Sequence, residues 1–410
     1  MAEGAANILM RDYNYELPPE KIALFPLAER AHSKLLVFDN GNITESTFDS
    51  AGDYLKPGDL LILNETKVVQ ARLEFITATG ARVELFCLEP AAAGKEIQSA
   101  MLSTGSVEWF CLAGNLKRWK NNEVLRISGD ASNAVKIEAR FIQREAEGVK
   151  VLFNWFPETL TFAELLDSLG KVPLPPYLRR EAEGSDKQRY QTVFARAEGS
   201  VAAPTAGLHF TDSLLGSLEA AGVQKGYLTL HVGAGTFKPV TSENVIDHEM
   251  HREEIHVKRE LINRLYECKG RIIPVGTTSL RTLESLYWTA VKSMREGIFD
   301  GQIHVEQWFP YQFEESELPG FRDAFGFLAK SMEERGIQEL KGGTRLIIAP
   351  GYKIRTADLL FTNFHQPGST LLLLVSACIG DDWKRVYNYA LENNFRFLSY
   401  GDGSLLKIRK

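Results

Sequence analysis

The period of the apolar positions changes several times along the chain. Residues 33–39 (SKLLVFD) and 43–48 are short strand-like runs flanking Asn40-Gly41, a hairpin-turn pair. Residues 59–64 (DLLILN) carry the continuous apolar run Leu60 to Leu63, which predicts a buried strand ending in the polar cluster Asn64, Glu65, Thr66 and Lys67. Ahead of these, Leu17-Pro18-Pro19 opens a short helix carrying Ile22, Ala23 and Leu24. From Ala71 to about Trp155 the runs become short and alternating, at 72–76, 82–88, 107–112, 124–127, 135–142 and 150–153, with Gly- and Asn-rich turns between them. Six such runs without a helical pattern predict a small closed β-barrel.

Helical period returns at 161–170 (TFAELLDSLG), where Thr161 and Glu164 make a capping-box pattern. Residues 186–194 read as a helix, 227–231 (YLTLH) as a strand, 258–268 as a helix and 271–276 (RIIPVG) as a strand. Thr277-Thr278-Ser279 then reads as a hydroxyl-rich N-cap for the helix LRTLESLYWTA. Residues 295–343 are aromatic and acidic and contain an amphipathic helix, AFGFLAKSMEERGIQEL. They are expected to form an excursion or lid packed on the main domain. Strands are expected at 344–350 and 358–363. The resulting fold class is an α/β main domain, a mixed sheet with flanking helices, over residues 1–70 and 156–410. A small closed β-barrel domain is inserted at 71–155.

The longest apolar run, Leu371 to Val375, falls far short of the roughly 18 residues that a membrane span requires, and the N-terminus has no signal-peptide pattern. The cysteines (Cys87, Cys111, Cys268, Cys378) are scattered and suit a reducing, cytoplasmic setting. With a net charge of −6, any contact with nucleic acid must rest on a local basic patch. Lys117-Arg118, Arg179-Arg180 after the prolines of KVPLPPYLRR, and Arg189 are the candidates.

Candidate chemistry concentrates in GSVAAPTAGLHFT, residues 199–211, a small-residue loop that leads into a helix and carries Ser200, Pro204, Thr205 and His209. The same arrangement of β-rich run, small or hydroxyl residues, then helix recurs at Asn64–Thr66 with Arg72 nearby, at Thr277–Ser279, and at Asn363–Thr370 with His365 and Ser369. If these turns converge, they make a pocket of neutral donors with His209, His231 and His365 for proton transfer. Gly233-x-Gly235 and Thr236 follow His231, but the third glycine of a dinucleotide fingerprint is missing. Arg281 and Glu284 lie on one helix face, either as a surface pair or facing a pocket. His248, His251 and His256 (HEMHREEIH) lack the H-E-x-x-H spacing, which favours structural roles over a metal site. No nucleophile elbow or Walker loop is present.

The stretches YELPPEKIALFPLAER, GDLLILNETKVVQARL, LPPYLRR, RYQTVFARAEGSVAAPTAGLHFT, LTLHVGAGTFKPV, HEMHRE, VGTTSLRTLES, APGYKIRTADLLFTNFHQPGSTLLLLVSA and RFLSYGDG span nearly the whole chain. They resemble the S-adenosylmethionine:tRNA ribosyltransferase-isomerase family of queuosine biosynthesis. The resemblance implies that the ribosyl part of S-adenosylmethionine is transferred and isomerised onto 7-aminomethyl-7-deazaguanine at the tRNA wobble position. Epoxyqueuosine would form, and adenine and methionine would leave. S-adenosylmethionine would be a consumed substrate, with no cofactor and no metal, and the family prior is a monomer. A base must take a proton beside the sulfonium and a donor must protonate the departing adenine. His209 is the first candidate for one role, and His231 or His365 for the other. Asn64, Thr66, Arg72, Ser200, Pro204, Thr205, Gly233, Gly235, Thr236, Thr278, Arg281, Glu284, Tyr352, Asn363, Ser369 and Thr370 would hold substrate. Lys117, Arg118, Arg179, Arg180 and Arg189 would meet tRNA.

The family usually passes from TSLRTLES to PGY by a short connection, whereas here residues 288–341 intervene. A second reading is therefore an S-adenosylmethionine-using relative that acts on a different amine or small-molecule acceptor. An acidic lid at Glu314, Glu315 and Glu317 would favour that reading, and a basic stripe from Arg179-Arg180 to the barrel would favour the first.

Overall fold

A computed structural model describes residues 8–91, 96–120, 123–127, 135–145, 148–233, 235 and 240–410. In chain order the strands are β1 (Lys34–Asp39), β2 (Asn42–Thr47), β3 (Leu60–Asn64), β4 (Thr66–Val68), β5 (Arg72–Ile76), β6 (Arg82–Pro90), β7 (Ser106–Gly114), β8 (Val124–Arg126), β9 (Lys136–Arg144), β10 (Val149–Phe156), β11 (Ala197–Ser200), β12 (Gln224–His231), β13 (Glu253–Lys258), β14 (Ile272–Pro274), β15 (Gln302–Val305), β16 (Glu339–Thr344), β17 (Leu359–Asn363) and β18 (Gly403–Lys407). The helices are α1 (Ile97–Met101), α2 (Phe162–Leu169), α3 (Asp186–Arg189), α4 (Asp212–Ala220), α5 (Arg259–Glu267), α6 (Thr277–Glu296), α7 (Phe321–Glu334), α8 (Thr370–Ile379) and α9 (Asp382–Glu392).

Two compact units result. One comprises Met1–Glu65, Thr192–Ala195 and Pro204–Lys410; the other comprises Thr66–Gln191 and Arg196–Ala203. The second unit holds the closed antiparallel barrel β10-β7-β6-β5-β8-β9, whose strands fall where the alternating runs predict them. Its interior is filled by every second side chain, as in β10, where Val149, Val151, Phe153 and Trp155 are buried. Phe162 of α2 packs on Trp109, Phe153 and Trp155, with ring centroids 5.3, 5.6 and 5.7 Å away. The predicted capping box starts α2: Thr161 Oγ1 accepts from the Glu164 amide at 3.3 Å, and the Glu164 carboxylate accepts from the Thr161 amide at 2.8 Å.

The first unit carries a six-stranded sheet, β14-β3-β12-β13-β16-β15, and a four-stranded sheet, β17-β18-β1-β2. An isolated parallel bridge between Val275 and Phe361 joins them. Because β3, β12 and β14 are mutually parallel and β17 runs alongside β14, the carboxyl ends of these strands share one edge. Antiparallel pairing brings the amino ends of β13 and β18 to that same edge. Asn40 and Gly41 both adopt positive φ, 48° and 85°, as a two-residue hairpin between β1 and β2 requires.

Helix α6 runs through this unit with 15 of its 20 residues buried. Its hydroxyl-rich start does not cap it. Gly276, at φ 91°, is the N-cap, and Ser279 donates back to the Val275 carbonyl at 2.8 Å. Three other expected elements are shorter than their sequences suggest. After Pro18-Pro19 the chain makes only a 3-10 turn (Pro19–Lys21), because Ile22 is drawn into a bridge with Phe397. Helix α3 ends at Arg189, since Gln191 must turn to hold both the amide and the carbonyl of Val68. Beyond β16 the chain is irregular, keeping only sparse bonds such as Arg345 N–H to the Val305 carbonyl at 2.9 Å.

The stretch expected as a lid is built into the sheet. β16 pairs with β13 and carries β15 as the outermost strand, while Phe325, Leu328 and Met332 of α7 are buried. The acidic residues there are engaged. Both Glu315 oxygens accept from the Arg355 fork at 3.0 Å, and Glu317 lies 3.4 Å from Arg295. The β15–β16 pairing depends on Gly342, where φ is 147° and an added Cβ would overlap the Ile303 carbonyl. Gly342→Ala is therefore expected to destabilise the protein by about 2 kcal/mol or more through strain and steric exclusion. It should also open residues 297–301 to limited proteolysis. A urea midpoint and cleavage pattern matching wild type would contradict this account of the edge.

Candidate active site

The shared strand edge collects polar groups from chain segments far apart in sequence. Asn64, at the end of β3, donates to the Leu230 carbonyl at 3.0 Å and accepts from the Leu230 amide at 3.1 Å. Its amide also lies 3.4 Å from Thr278 Oγ1, at the start of α6. Asn64 thus fixes the ends of β3 and β12 and the first turn of α6 as one frame. His231 ends β12 directly opposite Glu254 of β13. Its ring meets that of His256 edge-on at 5.8 Å, and His256 Nε2 is 2.6 Å from Glu254.

A second group forms where β17 ends. Thr205 donates to Asn363 Oδ1 at 2.8 Å, and Asn363 Nδ2 faces His209 Nε2 at 3.2 Å. The His209 ring stacks on Phe48 with centroids 4.1 Å apart. His365 Nε2 is 2.8 Å from the Thr362 hydroxyl, and its backbone amide donates to Tyr387 at 3.0 Å. Ser369 caps α8 by accepting from the Leu372 amide at 3.3 Å.

The three candidate imidazoles are all buried, and burial drives their basicity down. His209 and His365 fall to about 3, and His231 falls to about 4. For His209 the positive charges of Arg396 and Arg30 add to the burial, while a hydrogen bond to the Arg30 backbone opposes it. For His231, Glu254 opposes the burial and His256 adds to it. Each imidazole is therefore neutral at pH 7.

The charges of α6 do not pair with each other. A charge inside a buried helix needs a partner. Arg281, lowered by burial to about 10, pairs with Glu253, the first residue of β13. Glu253 is also 3.4 Å from His251 and 3.4 Å from the Gly233 amide. Glu284 accepts from Tyr352 at 2.6 Å, from the Thr356 hydroxyl at 2.6 Å, and from the amides of Arg355 and Thr356 at 2.9 Å each. Burial raises its pKa, and these hydrogen bonds oppose the rise. Glu284 and Tyr352 thus form a structural knot that holds residues 352–356.

A narrow cleft opens beside this frame, lined by Thr277, Thr278, Arg281, Glu253, His251 and Thr370 together with an apolar wall. Among the residues expected from sequence, Thr278, Arg281 and Thr370 meet there, with Asn64 behind Thr278. Thr205, Asn363 and His209 join in the second group, and Pro204 is buried just ahead of Thr205. The glycine pair closes on protein: a Cβ at Gly233 would lie 3.4 Å from the His251 ring, and one at Gly235 would overlap it. Thr236 lies outside the described residues. Within the barrel-bearing unit, Thr66 and Ser200 sit on the paired strands β4 and β11, and Arg72 is 3.6 Å from Glu84. In the same unit Lys117, Arg118 and Arg179 are exposed. There too Arg180 is forked onto Asp186 at 2.7 and 2.8 Å, and Arg189 closes α3. The sequence reading missed Glu253 and His251 as cleft residues. Arg281 was the signal for Glu253, since a cation on a helix this apolar demands a buried anion.

These features define an α/β unit whose polar groups gather beyond the carboxyl ends of parallel strands, where substrates bind in open sheets. A family model described as "Queuosine biosynthesis protein" matches residues 10–406. The chain is 37% identical over 401 residues to the S-adenosylmethionine:tRNA ribosyltransferase-isomerase of Azoarcus sp. (strain BH72), covering 97% of each chain. It is also 37% identical over 406 residues to the protein of that name from Pelobacter propionicus, covering 98% of this chain and 100% of that one. The crystal structure of S-adenosylmethionine tRNA ribosyltransferase from Thermotoga maritima aligns with a TM-score of 0.45 at 28% identity, over 96% of this chain and 99% of that one. The chain belongs to the queuosine biosynthesis protein family.

Two outcomes follow from the site. The unfolded imidazoles titrate near 6.5, so between that pH and about 4 the unfolded chain binds up to three more protons than the folded one. Stability is therefore complete above pH 6.5 and falls as the pH drops towards 4, by about 1 kcal/mol per pH unit for each histidine. Urea titrations across that range should show His365→Gln flattening the slope by about one proton. An unchanged slope in His209→Gln, His231→Gln and His365→Gln alike would refute neutral burial. Glu284→Ala strands four donors, and the urea midpoint should report a loss of about 3 kcal/mol or more.

Proposed function

We propose that this chain transfers and isomerises the ribosyl part of S-adenosylmethionine onto 7-aminomethyl-7-deazaguanine at the anticodon wobble position of tRNA. Epoxyqueuosine forms, and adenine and methionine are released. The observation that carries this reading is the full-length likeness to proteins named for that transfer, over residues that build one connected strand edge. The same likeness favours a tRNA acceptor over a different amine or small molecule. The pairing of Glu315 and Glu317 with Arg355 and Arg295 removes the acidic-lid argument for the alternative.

The residues suit the two proton movements. A neutral, buried imidazole accepts the proton lost beside the sulfonium, and the low dielectric around it strengthens its interaction with the cationic substrate. His209, held by Asn363 and Phe48, is the first choice for one proton step, with His231 or His365 for the other. Protonation of the departing adenine requires one of them to gain a proton as the reaction proceeds. S-adenosylmethionine supplies both the carbon skeleton and the leaving groups, so the reaction draws on no separate cofactor or metal. Exposed Lys117, Arg118 and Arg179 are our choice for tRNA phosphate contacts. We place the enzyme in the cytoplasm as a monomer; among the described residues no helix is long and apolar enough to cross a membrane.

The test incubates the protein with S-adenosylmethionine and tRNA bearing 7-aminomethyl-7-deazaguanine, and follows adenine release and nucleoside mass. Adenine release should depend on that tRNA, and the epoxide nucleoside should appear. Replacing the histidine that carries a proton should lower kcat by about 100-fold or more with the fold intact. Binding of S-adenosylmethionine without any change in the tRNA would overturn the reading.

A further inference from the structure

The cleft beside α6 combines two features that rarely share one wall. Arg281 and Glu253, at 9% and 1% exposure, place a cation and an anion side by side. Met250, Leu346 and Leu374 line the same cleft with apolar surface. Glu253 is held in place by the Gly233 amide and by His251. Among the described residues Glu253 is the one charged partner of Arg281, and a guanidinium has five N–H donors to give. The first turns of α6 and α8 also border the cleft through Thr277, Thr278 and Thr370, and helix starts favour a carboxylate.

A buried ion pair next to an apolar cleft is complementary to a zwitterion on an apolar stem. The carboxylate takes the guanidinium fork, the ammonium takes the glutamate, and the two internal charges exchange partners without a net charge being buried. We propose that Arg281 and Glu253 clamp the α-carboxylate and α-ammonium of the methionyl part of S-adenosylmethionine, with its Cβ and Cγ methylenes on the Met250–Leu346–Leu374 wall. This rests on the proposed function for the identity of the substrate. It adds that the methionine leaving group departs from this cleft, and it assigns Glu253 a specificity role.

The test uses the full-length protein and a ligand series, read first by thermal shift and calorimetry without tRNA. L-Methionine and L-norleucine should bind. L-Methionine amide, lacking the carboxylate, and 4-methylthiobutyrate, lacking the ammonium, should each bind about tenfold to a hundredfold more weakly. In the adenine-release assay, Arg281→Lys and Glu253→Gln should raise both KM for S-adenosylmethionine and Ki for methionine by about tenfold or more, with a smaller effect on kcat. Binding of methionine and its amide with equal affinity in wild type would overturn the clamp, even if both variants failed to fold. Discrimination among the ligands in a protein that leaves tRNA untouched would uphold the clamp and defeat the acceptor assignment. Turnover of tRNA without such discrimination would do the reverse.

Discussion

The main unit is organised around two buried charges, Arg281 and Glu284, on one helix. Along α6, side chains from Leu280 to Val291 are buried without interruption. A lone ion there would be prohibitively costly, so each charge dictates what packs against it. Arg281 requires the carboxylate that β13 supplies at its first residue. Glu284 requires the four donors that residues 352–356 converge to provide. Removing either charge would free the elements it holds, which is why this part of the site cannot be rearranged piecemeal. The same two ties fix the start of α6, and through Thr278 and Asn64 the ends of β3 and β12.

The strand edge converts this rigidity into chemistry. Parallel strands present their carboxyl ends together, so short polar residues there meet partners far away in sequence, Asn64 with Thr278 and Asn363 with Thr205 and His209. Histidines placed among them are desolvated by the packing that positions them. Phe48 stacking on His209 exemplifies the exchange: the ring gains a fixed orientation and loses basicity. An imidazole lowered in this way is neutral at pH 7 and presents no positive charge to its surroundings.

Much of this was legible in the sequence, because local physics determines it. The barrel showed in six alternating runs, since each strand has one face inside and one outside. The α2 capping box and the β1–β2 hairpin were readable from single residues whose preferences no distant contact overrides. The failures share one cause. The Pro19–Lys21 turn, the short α3 and the irregular stretch after β16 all lie where a tertiary partner, Phe397, Val68 or Val305, claims the backbone. In the site, hydroxyls and imidazoles were visible as residue types. Which groups share a wall was not, because that depends on the antiparallel return of β13. Glu284 and Tyr352 read as substrate contacts for the same reason: a polar side chain looks identical in sequence whether a ligand or a loop satisfies it.

The stretch from Trp288 to Lys341 follows the same logic at larger scale. It begins inside α6, where Trp288 donates to Tyr352 at 2.6 Å, and Tyr352 in turn donates to Glu284. It ends as β16, paired along its whole length with β13, the strand that opens with Glu253. This stretch therefore shares both of its boundaries with the elements that hold the two buried charges. An appended lid could be lost without consequence for the cleft. A segment that supplies the neighbour of β13 and continues α6 cannot, because the strand that carries Glu253 and the helix that carries Arg281 are both packed against it.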